Sequence, residues 1–276
     1  MKDKLKKLFS LPPHFQLWAL ISLALVIFLL ISFAGGLNFG LFSLKQASFK
    51  DTLLKTPSVW DNLDDIDFAK EEQNKVVAQT DSTVKSIFIF GDSMTSLVAR
   101  RLAQYGEKNG YTVFSVTKDG ATTSWWSDAP DLDEYMAQCN PDFIVVVLGA
   151  NEAKISDPST RVKFIDRMIE RFKGKPFIWI GPPHFTEEVT RYEKMLYMSL
   201  PKGTLFRTDM SLPTGPDHIH PTPAGGVIWT DSIMRWVATS RHPILNEVPD
   251  QDAPAASFTH IYIPMKGKGG DNKDDK

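Results

Sequence analysis

The chain has 276 residues, 42% hydrophobic and 23% charged, with a formal net charge of −2. That balance excludes a general nucleic-acid binder, which needs a basic surface. A single cysteine, Cys139, excludes an internal disulfide and any cysteine-built metal site, and it reads as a small core residue. The six histidines show no metal-binding spacing.

The chain opens with Lys2, Lys4, Lys6 and Lys7, and no charge then interrupts residues 16–43. Such a run exceeds the about 20 apolar residues needed to cross a bilayer. Residues 1–11 are therefore expected in the cytoplasm, 12–34 as a transmembrane signal anchor, and all that follows outside, because the lysines precede the span. A cleaved signal peptide is the competing reading, since Ala34, Gly35 and Gly36 supply small residues after the apolar run. Either way the expectation is a single-pass inner-membrane or exported protein with a periplasmic, extracytoplasmic domain.

Residues 35–84 read as a linker, with an acidic run through Asp61, Asp64, Asp65, Asp67, Glu71 and Glu72. From Lys85 the pattern becomes strand–helix alternation. Apolar runs at 87–90, 112–116, 143–148, 177–180 and 205–207 predict five strands, and 143–148 is apolar at every position, as in a sheet covered on both faces. Leu97, Val98, Leu102 and Tyr105 share one helical face. Val162, Ile165, Met168, Ile169 and Phe172 share another, and Ile228, Ile233, Trp236 and Val237 a third. Gly110 and Gly174 fall where helices should end. Residues 85–241 are therefore expected to form an α/β domain, a three-layer α/β/α sandwich around a five-stranded parallel sheet of flavodoxin-like type. Residues 242–276 read as a mostly disordered tail, rich in proline and then charge, within which 258–263 has the pattern of an edge strand.

In a parallel sheet the chemistry sits at the carboxyl ends of the strands. Strand one ends at Gly91-Asp92-Ser93, the second leads to Gly120, the third to Gly149-Ala150-Asn151, the fourth to Gly181-Pro182-Pro183-His184. After the fifth comes Gly215-Pro216-Asp217-His218-Ile219-His220-Pro221. A serine at a helix N-terminus is placed where backbone N–H groups favour negative charge. Asp217, three residues before His220, can hold the imidazole Nδ1 and leave Nε2 to take a proton from Ser93. Asn151 reads as a turn former or as an oxyanion donor beside the Ser93 and Gly120 amides.

Gly91-Asp92-Ser93, Gly120, Gly149-Ala150-Asn151 and Asp217-His218-Ile219-His220-Pro221 resemble, in order, the four blocks of the SGNH (GDSL-like) hydrolases, over residues 85–241. The resemblance implies Ser93 as nucleophile, His220 as base and Asp217 as its orienting acid, with Ser93, Gly120 and Asn151 forming the oxyanion hole. It implies no metal or organic cofactor. One departure is Glu152, where the family often has aspartate, and it bears on the shape of the neighbouring loop. The α/β-hydrolase elbow, G-x-S-x-G, fits less well because Thr95 occupies its last position.

Trp125 and Trp126 follow Gly120 and are expected on the rim of the site, as stacking surfaces for a sugar or acyl chain, with core packing as the alternative for one of them. His184 is expected on the opposite wall, as a polar contact or a plain loop histidine. The reading is an esterase or acyltransferase acting on O-acyl, mainly O-acetyl, groups of a cell-envelope or secreted glycan. A membrane-embedded acyltransferase is the natural partner, the membrane is engaged through the N-terminal helix, and no nucleic acid is involved. The alternatives are a lysophospholipase or thioesterase with the same triad, and a non-catalytic binding or scaffold module of an envelope assembly.

Overall fold

A computed structural model describes residues 78–265 and three short pieces, 21–22, 37–38 and 43–44. The cytoplasmic segment 1–11, almost all of the anchor 12–34, most of the linker 35–84 and the tail end 266–276 lie outside the described residues. Among the described residues no helix is long and apolar enough to cross a membrane. The chain divides into two units, Met1–Asn62 and Leu63–Lys276. In the first, Leu37–Asn38 pairs antiparallel with Ser43–Leu44.

The second unit carries the strand–helix alternation. Its elements are β1 (Ser86–Gly91), α1 (Thr95–Asn109), β2 (Thr112–Lys118), α2 (Thr123–Asp128), α3 (Asp131–Cys139) and β3 (Phe143–Val147). They continue with α4 (Val162–Arg171), β4 (Phe177–Ile180), α5 (Glu188–Ser199), β5 (Leu205–Phe206), α6 (Pro223–Val237) and β6 (Thr259–Ile263). The sheet runs β5-β4-β3-β1-β2-β6, and every pairing is parallel. The sheet therefore has six strands where five are expected. The extra strand, β6, lies parallel to β2, pairing Phe114 with Thr259 and Lys118 with Ile263.

Alternation in Ile87-Phe88-Ile89-Phe90 sorts the two faces of the sheet. Ile87 and Ile89 join Val98, Leu102, Tyr105, Trp229, Ile233 and Val237 in one core beneath α1 and α6. On the other face Phe90 packs edge-on against Trp126 of α2 and Phe172, at centroid distances of 4.7 and 6.1 Å. Val98, Leu102, Tyr105, Ile165, Met168 and Phe172 are buried as their helical spacing requires. Ile228 is not. It is 45% exposed, on the outer side of α6. Gly110 ends α1 in the left-handed conformation, φ 79°, with its N–H on Gly106 O. Cys139 is half-buried at the end of α3, and burial pushes its thiol up to about 11.

Residues 242–265 also depart from expectation, because they lie along the domain. Polar side chains on α1 hold this segment by its backbone carbonyls. Arg101 donates to Pro249 O and Asp250 O, Gln104 to Ala253 O and Pro254 O, and Asn109 to Glu247 O. Carbonyl recognition leaves no apolar periodicity in the segment being held, which is why its sequence reads as unstructured.

Candidate active site

The site forms where the strand order reverses, between β1 and β3. Gly91 ends β1 in contact with the backbone of β3: a Cβ there would fall 1.8 Å from Val147 O. Only glycine permits that approach, and it lets the Asp92 N–H donate to Val147 O at 3.0 Å. The chain then turns sharply. The Thr95 N–H donates to Asp92 O at 3.1 Å, and the Met94 N–H to Asp92 Oδ1 at 3.0 Å. Asp92 is buried and Ser93, next to it, is half-buried just ahead of α1. Burial raises the Asp92 carboxyl to about 7, against the pull of the Met94, Ala150 and Gly149 amides and with a further push from Glu152.

His220 is delivered to Ser93 by the close packing of α6 on α1. A Cβ at Gly226 would sit 3.2 Å from Leu97 Cβ and Leu97 O, and one at Gly225 2.4 Å from Pro213 O. Gly226 lets the first turn of α6 press onto the start of α1, and Gly225 lets it close onto Pro213. Thr222 caps α6, accepting from the Gly225 N–H at 3.1 Å. Ahead of it the chain closes a narrow loop in which the Gly215 N–H donates to His220 O at 2.8 Å. His218 is left-handed, φ 56°, in this loop.

Within the loop Asp217 Oδ1 accepts from the Ile219 and His220 amides, each at 3.0 Å. Its other oxygen, Oδ2, lies 2.6 Å from His220 Nδ1. His220 Nε2 lies 2.8 Å from Ser93 Oγ. The bond with His220, then those with the two amides, hold the Asp217 carboxyl down at about 2. As a carboxylate Asp217 can only accept, so Nδ1 carries the proton and Nε2 offers its lone pair to Ser93.

The oxyanion candidates flank this line. Gly120 is at φ 67° in the turn closed by the Ala121 N–H on Lys118 O, 3.1 Å. Asn151 donates one amide hydrogen to Ala121 O at 3.0 Å, which brings it beside the Gly120 turn. A side-chain amide has two N–H bonds, so the second stays available. Among the described residues neither the Ser93 nor the Gly120 amide donates to an acceptor of the chain. The segments after β1, β2 and β3 are thus adjacent in the sheet order, with Ser93 in the middle.

Trp126 departs from the rim expectation. It is completely buried, and its Nε1 donates to Gly91 O at 3.1 Å, so it braces the end of β1 from inside and offers no surface to a substrate. Trp125 is half-buried, edge-on to Trp126 at 4.9 Å, with Lys118 Nζ 5.6 Å from its ring centroid. His184 is more than a loop histidine. Its Nε2 lies 2.7 Å from Oε2 of Glu193, which is fully buried on α5, and that bond raises the imidazole's pKa. Glu193 is the residue sequence reasoning passes over, since an isolated acid in a helix reads as surface, and Glu152, noted in the sequence only for the shape of its loop, proves to be buried. Among the described residues no group of three or more His, Cys, Asp and Glu side chains is placed to hold a metal ion.

No protein-family model and no curated protein matches the sequence. Solved structures similar to this one include a family 3 carbohydrate esterase of Clostridium thermocellum, 14% identical with a TM-score of 0.41, over 56% of this chain and 98% of that one. A protein of Bacteroides ovatus described as a GDSL-like lipase is 14% identical with a TM-score of 0.36, over 56% and 52% of the two chains. AlinE4, an esterase of the SGNH-hydrolase family, is 18% identical with a TM-score of 0.33, over 58% and 95%.

Proposed function

We propose that this chain is an SGNH-type serine esterase or acyltransferase working through an acyl-Ser93 intermediate. One observation carries the reading: the unbroken line from Asp217 Oδ2 through His220 to Ser93 Oγ, with contacts of 2.6 and 2.8 Å. Ser93 Oγ attacks the ester carbonyl while His220 Nε2 takes its proton. The oxyanion of the tetrahedral intermediate sits against the Ser93 and Gly120 amides and the free N–H of Asn151, where one donor is worth about 3 kcal/mol of barrier. Its collapse expels the alcohol, which takes the proton back from His220. Water or an acceptor hydroxyl then attacks acyl-Ser93, again with His220 as base.

The acyl group is small, principally acetyl, and the alcohol a hydroxyl of an envelope or secreted glycan. The support is in the sequence: residues 16–43 carry no charge and follow four lysines, the pattern expected of a single N-terminal span with the domain outside the cytoplasm. A tethered domain at the membrane surface suits an acyl donor handed over by a membrane-embedded acyltransferase.

Incubating the full chain with a fluorophosphonate probe tests the reading. The expected result is one adduct, on Ser93, together with p-nitrophenyl acetate turnover that Ser93→Ala abolishes. Turnover unchanged in Ser93→Ala, or an adduct on another serine, overturns it. Hydrolysis and transfer are separated by offering an O-acetylated glycan with an acceptor glycan and measuring free acetate against transferred acetyl.

A further inference from the structure

Two of the three oxyanion candidates, Gly120 and Asn151, sit on separate segments, and a single buried carboxylate joins these two segments. Glu152 follows Asn151 directly and is 3% exposed. Its Oε2 accepts from the Thr123 N–H at 2.8 Å and from the Tyr192 hydroxyl at 3.2 Å. Its Oε1 accepts from the Thr123 hydroxyl at 2.7 Å and lies 3.0 Å from Arg161 Nε. Two consecutive residues after β3 therefore grip one short stretch after β2. Asn151 holds Ala121, and Glu152 holds Thr123. Gly120, immediately before Ala121, is at positive φ in a two-residue turn and has no side chain of its own to fix it.

We propose that Glu152 is the positioning residue of the oxyanion hole: by clamping Thr123 it sets the placement of the Gly120 N–H relative to the Asn151 side chain. Three residues from three directions meet its oxygens: Thr123 at the start of α2 with two hydrogen bonds, Tyr192 of α5 with one, and Arg161 of the turn before α4 as an ion pair. The longer glutamate chain reaches them from the position where the related pattern often carries aspartate. Arg161 supplies the charge that keeps a carboxylate tolerable in the interior. Glu152 does not touch the reacting atoms and acts through Asn151 and Gly120. The inference rests on the acyl-Ser93 reading.

A double-mutant cycle on the full chain tests it. Asn151→Ala is expected to lower kcat by about 100- to 1,000-fold. Glu152→Gln is expected to lower kcat by about 10- to 30-fold with KM nearly unchanged, because a donor shifted by a fraction of an ångström weakens the transition state and spares ground-state binding. In the Asn151→Ala background Glu152→Gln should cost less than about threefold, since the geometry it protects is already lost. Amide hydrogen exchange at Thr123 should accelerate about 10-fold or more in Glu152→Gln. If Glu152→Gln fails to fold, Thr123→Val removes one partner alone and should lower kcat several-fold, with Thr123→Ser restoring it. A fully additive cycle, a loss confined to KM, or a Thr123→Ser no better than Thr123→Val overturns the inference while Ser93-dependent turnover stands. Absence of Ser93-dependent turnover in the unmutated chain overturns the acyl-Ser93 reading, and the inference falls with it.

Discussion

Trp126 Nε1 donates to Gly91 O at 3.1 Å, so the last residue of the central strand is fixed by a side chain from the helix that follows the second. The strand end that leads to Ser93 and the helix that follows the Gly120 turn are thereby tied together, and they pack through Phe90 at 4.7 Å. Trp126→Phe keeps the ring packing and strips Gly91 O of its partner, which should cost about 1–3 kcal/mol of stability. Trp125→Ala, at a half-buried position, should cost less and act on KM. Urea denaturation of the two variants checks this. A Trp126→Phe variant as stable as the parent, with an altered KM, would return Trp126 to the substrate side.

Asp217→Asn should lower kcat by about 10³- to 10⁴-fold with KM little changed, because an amide can donate to Nδ1 and turn the imidazole to the tautomer whose Nε2 carries a proton toward Ser93. Asp217 and His220 are 48% and 44% exposed, so the fold itself should be unaffected. Steady-state kinetics with thermal melting separates the two. A kcat within threefold of the parent would remove Asp217 from its assigned role.

Most of the domain was legible because buried parallel strands advertise themselves. Phe143–Val147 is apolar at every position, and Ser86–Gly91 separates its isoleucines and phenylalanines onto two faces. The Asp217–His220 spacing was readable for a local reason, since a carboxylate three residues back folds onto the imidazole within one turn. What escaped depends on contacts far apart in sequence. The edge-strand pattern of 258–263 was readable, but not its place in the sheet, because its partner β2 precedes it by more than a hundred residues. The glycine pair Gly225-Gly226 reads as a weak helix start until Leu97 is seen against it. Glu193 looks like a solvent acid, and the grip of Glu152 on Thr123 is invisible, because their partners come from other elements.

Asp92 gives the stability a definite pH dependence. Its carboxyl releases a proton near 3.8 in the unfolded chain and at about 7 in the folded one. Between those values the native state keeps a proton that the unfolded state has lost, so stability falls as the pH rises, at no more than roughly 1.4 kcal/mol per unit. Asp217 runs the other way. Held down at about 2, it stabilises above about 4 and loses that contribution as the pH falls toward 2, outside the Asp92 window. Asp92→Asn removes the first slope. Urea denaturation at pH 5, 6 and 7 should show the variant gaining on the parent at each step. A constant difference would mean that Asp92 is ionised throughout.

The edge strand should control the site as well as the sheet. The Asp119 N–H donates to Ile263 O at 3.0 Å, the Tyr262 hydroxyl donates to Asp119 Oδ2, and Lys118 Nζ reaches Pro264 O at 3.5 Å. Met265 Cε lies 2.6 Å from where a Gly120 Cβ would stand, so the strand ends against the turn that carries the Gly120 amide. Ending the chain after Phe258 removes these ties and exposes the backbone edge of β2. The turn then depends on Asn151 and Glu152 alone, from its inner side. The truncated protein should lose about 10-fold or more in kcat. It should also lose some stability and associate at high concentration through the bared strand. Tyr262→Phe, which removes a single exposed bond, should cost less than about threefold. Kinetics and light scattering on the two variants, at matched concentration, check the pair. Full kcat in the truncated chain would leave the oxyanion turn governed from its inner side only.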